Sequence, residues 1–186
     1  EEVRETRVRD PRLRRLTFTG STTVWRMRVE QSAGQLLRVA MELGGNAPFR
    51  VFGDADVDQA VEGAMLAKMR NIGEACTAAN RFYVHESVAE EFSAKFAARM
   101  GALTLGQCTK KGVTVGPLID EKARTTVTEP LDDAVARVPR VLSGGEPQGA
   151  AGSLFQPPSL LGGSHHAAPL PQRARGPVPL TTTPTP

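Results

Sequence analysis

Val57, Val61 and Met65 recur every four residues, with Ala60 and Ala64 beside them and Asp56 immediately before. That is the period of one helix face behind an N-cap. Short apolar runs bracket it, FRVF at 49–52 and RFYVH at 81–85. Strand, helix, strand in that order argues for an α/β fold with parallel strands.

The alternation extends in both directions. RLTFTGS (15–21) reads as a strand running into a glycine turn, 22–33 as a helix and LLRVAMEL (36–43) as the next strand. After RFYVH, Ser87 and Glu90 form a capping-box pair, and Val88, Phe92, Phe96 and Met100 stripe a helix. A further helix is predicted over about 121–136, interrupted by Pro130, and RVLSGG (140–145) as a strand and turn. From Ser164 the chain reads SHHAAPLPQRARGPVPLTTTPTP, with six prolines and no hydrophobic period. That composition predicts disorder, because it buries too little surface to offset the entropy of ordering.

The 186 residues allow one good-sized core or two small ones. With aromatics at only 5%, that core is built mainly of Ala, Val and Leu. The net charge of +3 comes with arginine clusters, RETRVRDPRLRR and QRARG, that no aromatic residues interleave. Solvated ends fit this better than a nucleic-acid surface, so no nucleic-acid partner is expected. The two cysteines, Cys76 and Cys108, show neither CxxC nor metal-ligand spacing with histidine. No metal is expected, and a reducing, cytoplasmic compartment fits. No apolar run reaches the length of a membrane span, and EEVRETRVRD carries no signal-peptide apolar core.

Three short stretches carry candidate chemistry. In NIGEACTAANRFYV, Cys76 sits among small and polar neighbours, which leaves the space that a nucleophilic thiol needs around a substrate carbon. A buried inert thiol is the alternative. In MELGGNAP, Glu42 ends an apolar strand before two glycines, as a general base or as a solvent-facing loop carboxylate. In FTGS, Gly20 and Ser21 end a strand and open a helix, as an anion site or an ordinary capped helix start. Cys108, in LGQCTKKG, reads as incidental. His85, His165 and His166 make a poor Cys–His pairing, since the last two lie in the tail.

In combination these stretches are specific. FTGS, MELGG and RNIGEAC, in this order and with 34 positions between Glu42 and Cys76, resemble the aldehyde dehydrogenase superfamily. VGPLID (115–120), DADVDQAVEGAMLAKMRN (54–71) and LSGG (142–145) look like segments of the same family, and the resemblance runs from about Asp10 to about Gly163. AKMRNIGEAC further resembles succinate-semialdehyde dehydrogenases, in which an arginine precedes the nucleophile by six positions, here Arg70.

The resemblance implies an aldehyde dehydrogenase-like α/β fold, divided into a dinucleotide-domain remnant (1–41), a catalytic domain (42–163) and the tail (164–186). It implies NAD- or NADP-dependent oxidation of an aldehyde, with succinate semialdehyde as the substrate. Cys76 is the implied nucleophile and Glu42 the general base. Arg70 pairs with a substrate carboxylate, Gly20 and Ser21 help hold the dinucleotide, and Leu43 and Gly44 lie near the nicotinamide. The family is homo-oligomeric and more than twice this length. Its stretch of E-I-F-G-P type and its oligomerisation strand have no counterpart recognised in the tail, as expected of a truncated or frame-altered fragment. Trp25 stands where the family usually has glycine and is expected to crowd its helix, and Arg28 falls at an apolar position. Two other readings remain open: a non-catalytic remnant or interaction module, and a cofactor-free thiol esterase using Cys76.

Overall fold

The computed structural model describes residues 6–45, 47–137, 140–145, 154–161 and 179–182. It forms two compact units, Glu1–Gly45 and Asn46–Pro186.

In the first unit, β1 (Arg15–Gly20) and β2 (Arg38–Leu43) pair in parallel, with Thr19 opposite Glu42 and Gly20 opposite Leu43. The connecting helix α1 (Thr22–Ala33) starts where β1 ends. Ser21 caps it, its Oγ accepting from the Val24 N–H at 3.4 Å. The helix has no apolar stripe, and its buried residues are Arg28 and Ser32. Arg28 donates to Gln31 Oε1 at 2.7 Å, and Ser32 Oγ donates to the Val29 carbonyl at 2.8 Å. Trp25 is half-buried, and its indole N–H is buried with no hydrogen-bond partner among the described residues. That orphaned donor costs about 1–3 kcal/mol.

The second unit carries the main core. Its elements are β3 (Ala47–Val51), α2 (Val57–Met69), β4 (Ala79–Val84), α3 (Glu86–Gly101), α4 (Glu121–Arg137), β5 (Arg140–Ser143), β6 (Ser159–Leu161) and β7 (Leu180–Thr182). The sheet order is β3-β4-β7-β6-β5. All neighbours are parallel except β5, which runs antiparallel to β6. One face of β4 presents Phe82 and Val84 to α2 and α3, where Val57, Val61, Ala64, Phe92, Phe96 and Met100 complete the core. The other face carries Arg81 and Tyr83 beside Arg50. There a groove of about 440 Å³ is lined by Pro48, Arg50, Phe52, Arg81, Tyr83 and His85.

The expected helices and strands are present, with four corrections. The cap of α3 is His85, not Ser87: the His85 ring Nδ1 accepts from the Ser87 N–H at 3.3 Å. His85 is still tied to the ladder through its N–H to the Val51 carbonyl at 2.9 Å, so the helix starts directly after it. Pro130 does not interrupt α4, which continues to Arg137. Val127 and Leu131 in this helix are buried, and the side chains of Thr125, Thr126 and Thr128 bond back to the preceding turn. The tail is not uniformly without structure: Leu180–Thr182 is strand β7, hydrogen-bonded in parallel to both β4 and β6. Thr181 and Thr182 are buried there. The rest of the expected disordered segment lies outside the described residues. Finally, the two units divide after Gly45 rather than before Glu42. Glu42, Leu43 and Gly44 therefore belong to the first unit, because β2 is held by its ladder to β1.

The turn after β5 depends on glycine. Gly144 has φ +67°, and a Cβ there would stand 2.2 Å from the Pro157 carbonyl oxygen. Strain and overlap together predict that Gly144→Ala destabilises the second unit by about 2–4 kcal/mol. Gly101, in the last turn of α3, has open space around it, so Gly101→Ala is expected to be neutral or to stabilise by about 0.4–1 kcal/mol. Urea denaturation of both variants checks the contrast. Equal effects would count against the close approach at Gly144.

Candidate active site

The last turn of α2 sets up the cysteine loop. The buried positions on this helix are Val57, Val61, Ala64 and Lys68, the spacing of one face. Lys68 thus takes a core position at the end of an apolar stripe. It is fully buried, and its Nζ donates to Asn80 Oδ1 at 2.5 Å. Burial pushes its ammonium down from 10.5 to about 7.

The helix stops at Arg70, whose ψ of 123° leaves the helical region. In the short turn Arg70–Gly73 that follows, Asn71 (φ 52°), Ile72 (φ 50°) and Gly73 (φ 82°) are successive left-handed residues. For a β-branched residue such as Ile72 that conformation is strained. It reverses the chain toward β4. The Glu74 N–H bonds to the Asn71 carbonyl at 3.0 Å, and the Ala78 N–H to the Ala75 carbonyl at 2.9 Å. Ala78 and Ala79 are buried where the chain enters β4. Between these anchors Cys76 is exposed, and so is Arg70. Cys108 is exposed too, so exposure alone does not separate the two thiols.

The predicted site residues form two groups. Gly20, Ser21, Glu42, Leu43 and Gly44 gather at the C-terminal ends of β1 and β2 in the first unit. Arg70 and Cys76 share the turn and loop between α2 and β4 in the second. In the first group a capped helix N-terminus follows directly from a parallel strand, and its backbone N–H dipoles favour an anion. Gly20 has a second reason to be glycine, since a Cβ there would approach the Phe18 ring to 2.5 Å. Lys68 and Asn80 were not among the predicted residues. The signal was present: Lys68 continues the spacing of the apolar stripe, where a hydrophobe belongs.

These features define an α/β chain with an exposed thiol on a strained loop between helix and parallel strand. The chain belongs to the aldehyde dehydrogenase family, whose model matches residues 1–181. That match extends beyond Gly163, where the recognised resemblance stopped, and takes in the start of β7. The chain is 51% identical over 176 residues to a succinate-semialdehyde dehydrogenase of Paenarthrobacter nicotinovorans, covering 95% of this chain and 39% of that enzyme. It is 48% identical over 150 residues to a 3-sulfolactaldehyde dehydrogenase of Pseudomonas putida, covering 81% of this chain and 31% of that one. Among solved structures, an NADP-dependent enzyme of E. coli superposes with a TM-score of 0.87 at 40% identity, covering 97% of this chain and 37% of that chain. The chain thus spans less than two fifths of the length of these relatives. Among the described residues, no helix is long and apolar enough to cross a membrane.

The buried Lys68 gives stability a pH dependence of known sign. Below about pH 7 the folded and unfolded chains both hold the proton, and the cost of burying the charge is full. Between about 7 and 10.5 the unfolded chain keeps the proton while the folded chain releases it, so stability rises with pH. Lys68→Met removes this contribution. The stability of Lys68→Met relative to the parent is therefore expected to be higher at about pH 6 than at about pH 9, by urea denaturation. A difference that does not change with pH would show that the ammonium is not buried.

Proposed function

We propose that this chain carries the nucleophile, base and substrate-selecting arginine of an NAD- or NADP-dependent aldehyde dehydrogenase that takes aldehydes bearing a distal anion. The observation that carries this reading is the loop itself. It exposes Cys76 after a left-handed turn that starts at Arg70, in a chain half identical to a succinate-semialdehyde dehydrogenase.

The Cys76 thiolate adds to the aldehyde carbon and forms a C–S bond, giving a thiohemiacetal oxyanion. The Cys76 backbone N–H donates to that oxygen. The nicotinamide, when bound, supplies the hydride acceptor. Loss of hydride leaves a thioester on Cys76. Glu42 takes a proton from water, the hydroxide adds to the thioester carbon, and the C–S bond breaks to release the carboxylate and regenerate the thiolate. Gly20 and Ser21 would hold dinucleotide phosphate at the start of α1, and Leu43 and Gly44 would lie near the nicotinamide. Arg70 pairs with the anion at the far end of the substrate. Succinate semialdehyde carries a carboxylate there and 3-sulfolactaldehyde a sulfonate, so the names of both relatives support a guanidinium in this role.

The test compares variants in nicotinamide reduction by succinate semialdehyde, made in a chain extended to the full length of its relatives. Cys76→Ala is expected to abolish turnover. Arg70→Ala is expected to lower kcat/KM by about one to two orders of magnitude, the scale of one lost charge-assisted pair. An uncharged aldehyde of equal length should lose far less. Equal losses on both substrates would mean that Arg70 supports the loop and not the substrate. Ester turnover without a nicotinamide, lost in Cys76→Ala, would point instead to a thiol esterase.

A further inference from the structure

We propose that Lys68 and Asn80 form a buried clamp that closes the base of the Cys76 loop and so positions Cys76 and Arg70; this rests on the reading of Cys76 as the nucleophile. Lys68 is in the last turn of α2 and Asn80 near the start of β4, and the contact between them spans the whole turn and loop. Both are core positions. Lys68 follows Val57, Val61 and Ala64 on the buried face of α2, and Asn80 is 4% exposed beside Phe82 and Val84.

An apolar pair at these positions would pack without the cost of burying an ammonium. What it would not supply is direction. A hydrogen bond at 2.5 Å fixes one atom of α2 against one atom of β4, whereas apolar contacts tolerate a slip. The strand is built to aim that atom. The ladder of β3 with β4 pairs Ala47 with Ala79 and then Pro48 with Arg81, so its register skips Asn80. Pro48 has no N–H to donate, and an irregularity of this kind re-aims a side chain. The loop between the clamped ends needs such a constraint. Asn71, Ile72 and Gly73 are left-handed in succession, and a strained backbone persists only where its surroundings over-determine it. Lys68 and Asn80 are positioning residues here, since they act through the loop they hold.

Amide hydrogen exchange on the full chain tests this without requiring turnover. Lys68→Met and Asn80→Ala are each expected to speed exchange over residues 70–78 by about tenfold or more, with less than about twofold change in α3. The double variant should fall short of the sum of the single effects, because both remove the Lys68–Asn80 contact. Asn80→Asp, which keeps an oxygen acceptor for the ammonium, should retain most of the protection. Unchanged exchange over 70–78 would overturn the clamp. So would a uniform rise through the second unit, its outright unfolding, or additive single effects. If exchange responds locally but Cys76→Ala leaves aldehyde turnover intact, the clamp stands as a loop-closing device and the nucleophile reading falls.

Discussion

Phe82 is the point on which the second unit depends. It is fully buried on β4, and its ring centre lies 5.4 Å from Phe49 on β3, 5.1 Å from Phe96 and 6.5 Å from Phe92 on α3. Four of the chain's seven phenylalanines therefore meet around one strand position, in a sequence otherwise poor in aromatics. This cluster joins strand to strand and sheet to helix. It also fixes which face of β4 looks inward, and hence that Asn80, two residues earlier, points at the end of α2. The aromatic core and the polar contact under the cysteine loop are consequences of one alternation along one strand.

The surface charges of this unit add little. Lys95 bonds to Asp58 at 2.7 Å and to Glu91 at 2.7 Å, and the facing carboxylates raise its ammonium above the ordinary value. All three side chains are exposed, and such pairs are screened and modest. The packing of α2 against α3 rests on the Phe92, Phe96, Val61 and Ala64 contacts beneath them.

Much of this was legible from local pattern. Asp56 announced α2 and does cap it, accepting from the Gln59 N–H at 3.1 Å, because the cap and the stripe are both short-range signals. Parallel pairing followed from the alternation of strand and helix. The candidate site residues rest on family resemblance, since Gly20, Glu42 and Cys76 are each ambiguous alone. Three features escaped. The His85 cap depended on a backbone tie to Val51, distant in sequence. Lys68 was hidden because lysine reads as a surface residue, even where the helical spacing carries it inward. Strand β7 was hidden by the prolines around it, although Leu180, Thr181 and Thr182 suit a strand. Its pairing is a long-range event that no local window contains.

That strand bears on how the sheet is assembled. β7 sits between β4 and β6, and Thr182 Oγ donates to the carbonyl of Phe82 across a separation of 100 residues. The middle of the sheet is thus contributed after its flanks have been synthesised. Until residues 180–182 leave the ribosome, β4 and β6 each have an unpaired edge, and β4 carries Phe82 and Val84, both fully buried in the finished core. Contacts of such long range form slowly, and open edges of that kind are where nascent chains associate. The sheet is closed from the inside and late, so the interval of greatest exposure to a chaperone or to a second nascent chain falls just before synthesis of the segment that ends it.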